Sequence, residues 1–134
     1  MIDLESDIFN AVAIALRTAH PGVFVTGEYV DAPPSFPAVS IIEIGNHVSN
    51  RYRTAKIENA VVSTFEVNVY SNKAAGKKME AKELANTLDT AFEAIGFTRT
   101  MRNQVANFND ATIFRIICRY EAIIDKDFWV YQTI

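Results

Sequence analysis

Val61-Val62-Ser63-Thr64-Phe65-Glu66-Val67-Asn68-Val69-Tyr70 places Val61, Phe65, Val67 and Val69 on one face, with Thr64, Glu66 and Asn68 on the other. Alternation of period two predicts a half-buried strand. Directly after it, between Ala75 and Ile95, the apolar period changes. Ala81, Leu84, Ala85, Leu88, Phe92 and Ile95 recur at three- and four-residue steps, with Lys78, Lys82, Asn86, Asp89 and Glu93 between them. That spacing predicts an amphipathic helix lying on an apolar surface. Gly96 follows the last apolar position, where a helix terminus needs a residue tolerant of positive φ. Two further strands are predicted, from Phe97 to Val105 and from Thr112 to Ile124. In the second, Phe114, Ile116, Cys118, Tyr120, Ala122 and Ile124 share a face opposite Arg115, Arg119 and Glu121. Asn107-Phe108-Asn109-Asp110 is rich in turn formers, so this pair reads as an antiparallel hairpin with a longer loop.

Upstream, Leu4, Ile8, Ala11, Val12, Ala15, Leu16 and Ala19 form a helical stripe, and Asp3, Glu5 and Asp7 suit the positive end of its dipole. His20-Pro21-Gly22 ends that helix, because the residue before a proline is pushed out of the α region. Val23 to Val30 reads as a short strand and Ala38 to Ile44 as another. Pro33, Pro34 and Pro37, of the chain's four prolines, stiffen the loop between them. The pattern lapses from Gly45 to Ala60, and residues 46–59 read as a projecting arm or long loop that meets a partner. Residues 126–134 form a strand-like tail in which Phe128, Trp129 and Tyr131 would stay exposed unless they pair with the sheet or with a neighbouring subunit. The order α-β-β-β-α-β-β plus tail predicts one α+β domain over residues 1–134. Its architecture is a two-layer sandwich, with two helices on one face of a mostly antiparallel sheet.

The totals agree with a single domain. The chain has 134 residues, 49% of them hydrophobic and 22% charged, enough for one core without staples. Its single cysteine rules out an internal disulfide and any multi-cysteine zinc site. A net charge of -3 argues against a dedicated nucleic-acid binder. No apolar run approaches the roughly 20 residues of a membrane span, and an acidic start is unlike a secretion signal. Two basic clusters stand out, Arg51, Arg53 and Lys56, and Lys73, Lys77 and Lys78. The plain reading is solvated loop and helix-end charge; the other is contact with a partner.

Catalytic chemistry finds little support. His20 and His47 flank turns without metal-ligand spacing. Cys118, mid-strand on the apolar face, reads as a buried, protonated and inert thiol. Asp110, Glu121 and Asp125 are scattered, and the five glycines stand singly rather than in a phosphate loop. Neither an enzyme nor a cofactor or metal site is expected.

The block Tyr70-Ser71-Asn72-Lys73, Gly76-Lys77-Lys78, Leu88-Asp89, Phe92 and Gly96-Phe97-Thr98-Arg99-Thr100 continues through Asn107, Asn109-Asp110-Ala111-Thr112-Ile113-Phe114-Arg115 and Arg119-Tyr120. Over about residues 65–124 it resembles the small tail-terminator, or tail-completion, proteins of long-tailed bacteriophages. That resemblance implies a two-layer α/β subunit assembled as a hexameric ring on the head-proximal end of the tail tube. The ring would stop tube growth and offer a docking face to the head connector. Its implied partners are copies of itself, the tail tube protein and a connector or adaptor protein. DNA would pass through the ring without sequence-specific binding, and the protein, made in the host cytoplasm, would reside in the virion. Arg51, Tyr52, Arg53 and Lys56 of the arm and Phe128, Trp129 and Tyr131 of the tail are the expected partner contacts. The alternatives are another head–tail adaptor or minor tail protein and, more distantly, a cytoplasmic α+β ligand-binding or small enzyme domain.

Overall fold

The strands and helices follow one another along the chain in the order their apolar periods predict. In the computed structural model, which describes residues 3–30, 33–48, 60–106, 111–125 and 130–131, the order is α1 (Glu5–Ala19), β1 (Phe24–Thr26), β2 (Ala38–Val48), β3 (Ala60–Ser71), α2 (Lys77–Ala94), β4 (Thr98–Ala106), β5 (Phe114–Asp125) and β6 (Val130–Tyr131). The sheet order is β1-β2-β3-β5-β4, with β6 also beside β5. All pairings are antiparallel except β1 with β2. The result is the expected α+β arrangement of two helices over one mostly antiparallel sheet.

The odd-numbered face of β3 builds the core. Val61, Phe65, Val67 and Val69 meet Ile116, Cys118, Tyr120, Ala122 and Ile124 of β5, and Ala81, Leu84, Ala85, Leu88 and Phe92 of α2 close over them. From α1 come Ile8, Val12 and Leu16. Burying each leucine contributes about 1.5–3 kcal/mol. Gly96 takes φ 91°, and the end of α2 closes as a Schellman turn. The Phe97 amide donates to the Phe92 carbonyl at 2.9 Å and the Gly96 amide to the Glu93 carbonyl at 3.0 Å. That turn carries Phe97 back onto Phe92, with ring centroids 5.5 Å apart.

Several expected boundaries shift. The first strand shrinks to Phe24–Thr26. β2 runs past Ile44 to Val48, pairing Asn46, His47 and Val48 with Ser63, Val62 and Val61. A bulge between Glu43 and Gly45 explains the misreading: it inserts a residue, reverses the face of everything beyond it and breaks the alternation. Residues 49–59, the rest of the expected arm, lie outside the described residues. Asn68, placed on a wet face by its parity, is fully buried and accepts hydrogen bonds from Arg115 Nε and Nη2 at 3.0 and 2.7 Å. A second small cluster, Ala38, Tyr70 and Ile113 with Phe24 and Phe36, covers that end of the helix-free face.

Leu88, fully buried on the sheet-facing side of α2, gives a direct check on this packing. Leu88→Ala is expected to lower unfolding free energy by about 2–5 kcal/mol in chemical denaturation, whereas a cost near zero would mean that α2 turns a different face to the sheet.

Candidate functional site

The densest polar cluster on the described surface is built on α2, β4 and β5. Asp89 lies one turn before Phe92 and on the edge of its stripe, so packing Phe92 against the sheet brings the carboxylate to the end of Tyr120. Phe92 and Tyr120 are stacked with centroids 4.2 Å apart and planes 8° from parallel. The Tyr120 hydroxyl donates to Asp89 Oδ1 at 2.5 Å, and Arg99 Nη1 donates to Asp89 Oδ2 at 2.6 Å. Arg102 Nη2 lies 3.2 Å from the same oxygen, off hydrogen-bonding geometry, while its Nη1 donates to Asn86 Oδ1 at 3.1 Å.

Two arginines three apart on a strand should point to opposite faces. They share one here because β4 bulges between Arg99 and Met101. A shallow cavity of about 290 Å³ opens beside them, lined by Asp89, Glu93, Phe97, Thr98, Arg99 and Tyr120. Burial, followed by the hydrogen bond to Asp89, pushes the Tyr120 hydroxyl well above its ordinary value. Burial likewise raises the thiol of Cys118, outweighing the lowering influence of Arg102. Both groups are therefore held protonated, which suits neither a nucleophile nor a general base. The chemistry available to the cluster is attachment: one carboxylate joins α2 to two strands.

The residues singled out in the sequence fall elsewhere. Arg51, Tyr52, Arg53, Lys56, Phe128 and Trp129 lie outside the described residues. Tyr131 belongs to β6, opposite Ile123 of β5, so the tail joins the sheet at that point. Cys118 is buried as expected. His20 Nε2 sits 2.8 Å from Thr87 Oγ1, at the wall of a cavity of about 500 Å³ between the end of α1 and the start of α2. His47 is in β2 rather than a turn. Among the described residues no three His, Cys, Asp or Glu side chains gather as a metal site, and no helix is long and apolar enough to cross a membrane. Sequence reading missed the Asp89 cluster. The i, i+3 pair Asn86 and Asp89 on a helix followed by two arginines was its only trace.

Asp89→Ala would leave a buried phenol without its acceptor and two guanidinium groups facing each other. A loss of about 1–3 kcal/mol in unfolding free energy is expected, with Tyr120→Phe costing less because the carboxylate keeps its arginines.

No family model and no curated protein matches the chain. Among solved structures, one chain from the virion of a native gene transfer agent particle shares the fold, with a TM-score of 0.61 at 15% sequence identity. The likeness covers 87% of this chain and 93% of that one, so nearly the whole of each chain takes part in it.

Proposed function

We propose that this chain is a structural subunit of a phage-like virion that caps the head-proximal end of the tail tube as a ring, ends tube growth and offers the docking surface for the head connector. The observation that supports the reading is the fold shared, over 87% of this chain and 93% of the other, with a chain from the virion of a gene transfer agent particle. The resemblance of residues 65–124 to tail-terminator proteins points the same way independently of that fold. Geometry is compatible with both. A ring subunit needs two different, complementary sides, and this sheet ends on one side in the short β1 with β2 extending beyond it and on the other in β4. It needs rigidity rather than a reactive group, and the most polar cluster is spent on fastening α2 to the sheet. In this role the partners are copies of the same chain, the tail tube protein and a connector or adaptor protein, with DNA passing through the ring and held by no sequence-specific contact.

Electron microscopy of lysates from a phage lacking this chain tests the role. Tails longer than normal are expected; tails of normal length lying free beside filled heads would instead assign the chain to an adaptor between head and tail. Within the same role, Arg51, Tyr52, Arg53 and Lys56 contact the neighbouring ring or tube, and the tail around Phe128, Trp129 and Tyr131 packs on the sheet or the next subunit. Replacing Arg51, Arg53 and Lys56 together by alanine is expected to leave the melting temperature unchanged while reducing the fraction of heads joined to tails. A collapse of stability would make the arm part of the domain's own structure.

A further inference from the structure

The two sides of the sheet end on strand edges that match each other. β1 covers β2 only at Ala38, Val39 and Ser40, so from residue 41 to 48 no described strand lies outside β2. On the far side β4 is the last strand of the path. Open edges are templates for a further strand, and monomeric proteins commonly blunt them with lysine or proline. Neither residues 41–48 nor residues 98–106 contain either residue.

Direction, height and charge all agree. β2 and β5 run one way while β3 and β4 run the other. A second copy rotated about an axis parallel to the strands therefore brings its β4 antiparallel to β2 of the first, and the alternation continues unbroken. Following the registers across the sheet, Glu43 pairs with Phe65, Phe65 with Tyr120, and Tyr120 with Arg99. Glu43 and Arg99 thus stand at the same height and on the same, helix-bearing face. The bulges of β2 and β4, at Ile44 and Thr100, adjoin that same height, so the two edges bend together.

Asp3, Glu5 and Glu43 form an acidic corner on the β2 side. Burial, then Glu43 and Asp3, push the Glu5 carboxyl above its ordinary value, and none of the three has an ion pair among the described residues. On the β4 side Arg99 and Arg102 share the single carboxylate of Asp89, and the buried Arg102 Nε has no hydrogen-bond partner there. Among the described residues, an acidic edge without a cation and a basic edge with two guanidinium groups on one carboxylate suit each other.

We infer that the outer edge of β2, residues 41–48, pairs antiparallel with the outer edge of β4 in a second copy of this chain, with Glu43 against the neighbour's Arg99. The contact is heterologous, and with the closing rotation that the proposed ring requires, its repetition makes one sheet that runs from subunit to subunit. This interface rests on the ring reading above and specifies how the ring is held.

Cysteine cross-linking of the full chain with a short bis-maleimide tests it. Ile44 is 48% exposed and Thr100 is exposed, while Cys118 is 0% exposed and out of the reagent's reach. Ile44→Cys mixed with Thr100→Cys is expected to give a cross-linked dimer, the double variant a ladder of multimers, and either single variant alone nothing. In the double-cysteine background, Glu43→Arg is expected to reduce cross-linked product about tenfold, and adding Arg99→Glu to restore it. Circular dichroism establishes that each variant is folded, and the cysteine pair alone carries the test if Arg99→Glu is not. Ile44→Cys cross-linking to itself would mean that two β2 edges meet about a two-fold axis, which overturns the inference. Oligomers that sediment normally but do not cross-link would overturn this interface and leave the ring standing. A wild-type chain that stays monomeric at all concentrations would overturn the ring reading and the interface with it.

Discussion

Everything in this domain hangs on how α2 is seated, and the seat is aromatic. Phe92 lies flat on Tyr120, while Phe65 and Phe97 meet it at steep angles with centroids 5.9 and 5.5 Å away. Tilted and stacked pairs of this kind add about 0.5–1.5 kcal/mol each beyond the area they bury. More importantly, they join four elements through one side chain: Phe65 comes from β3, Tyr120 from β5, and Phe97 from the turn that leads into β4. Once Phe92 is in place, the rotation and height of α2 are set, and so is the position of Asp89 one turn earlier.

Asp89 then does for polar groups what Phe92 does for apolar ones. It accepts from a tyrosine whose ring belongs to the core and pairs with arginines that belong to the surface. A carboxylate at 29% exposure against an arginine at 44% contributes modestly as an ion pair alone, because water screens it. Its value lies in satisfying the Tyr120 hydroxyl, which would otherwise be buried without a partner. The same geometry holds Arg99 along the edge of β4, the side that meets the next copy in the proposed ring.

Two bulges give the sheet its sidedness. Without the extra residue near Ile44, Glu43, Asn46 and Val48 would not share a face; without the one at Thr100, neither would Arg99 and Arg102. In β2 the insertion turns Asn46 and Val48 toward the helix-bearing layer, in β4 it sets Arg102 on the same face as Arg99, and in both it bends an outer edge. Fold resemblance to a virion chain at 15% identity is intelligible in these terms, since the pattern of buried and exposed positions constrains a fold far more than the identity of its surface residues does.

Residues that repeat with a clean period were legible in the sequence alone. The alternation in β3 and β5, the stripe of α2 with Gly96 after it, the burial of Cys118 and the layered α+β class all follow from which side chains avoid water, and that preference is local. Tertiary structure decided what depends on parity changes and on meetings between distant residues. β2 continues to Val48 because a bulge, which leaves no sequence mark, reverses its faces. Asn68 is buried with its amide oxygen satisfied by Arg115, 47 positions away. Asp89, Tyr120, Arg99 and Arg102 become one cluster only when α2 settles on the sheet, since chain order says nothing of which edge of a helix will face which strand.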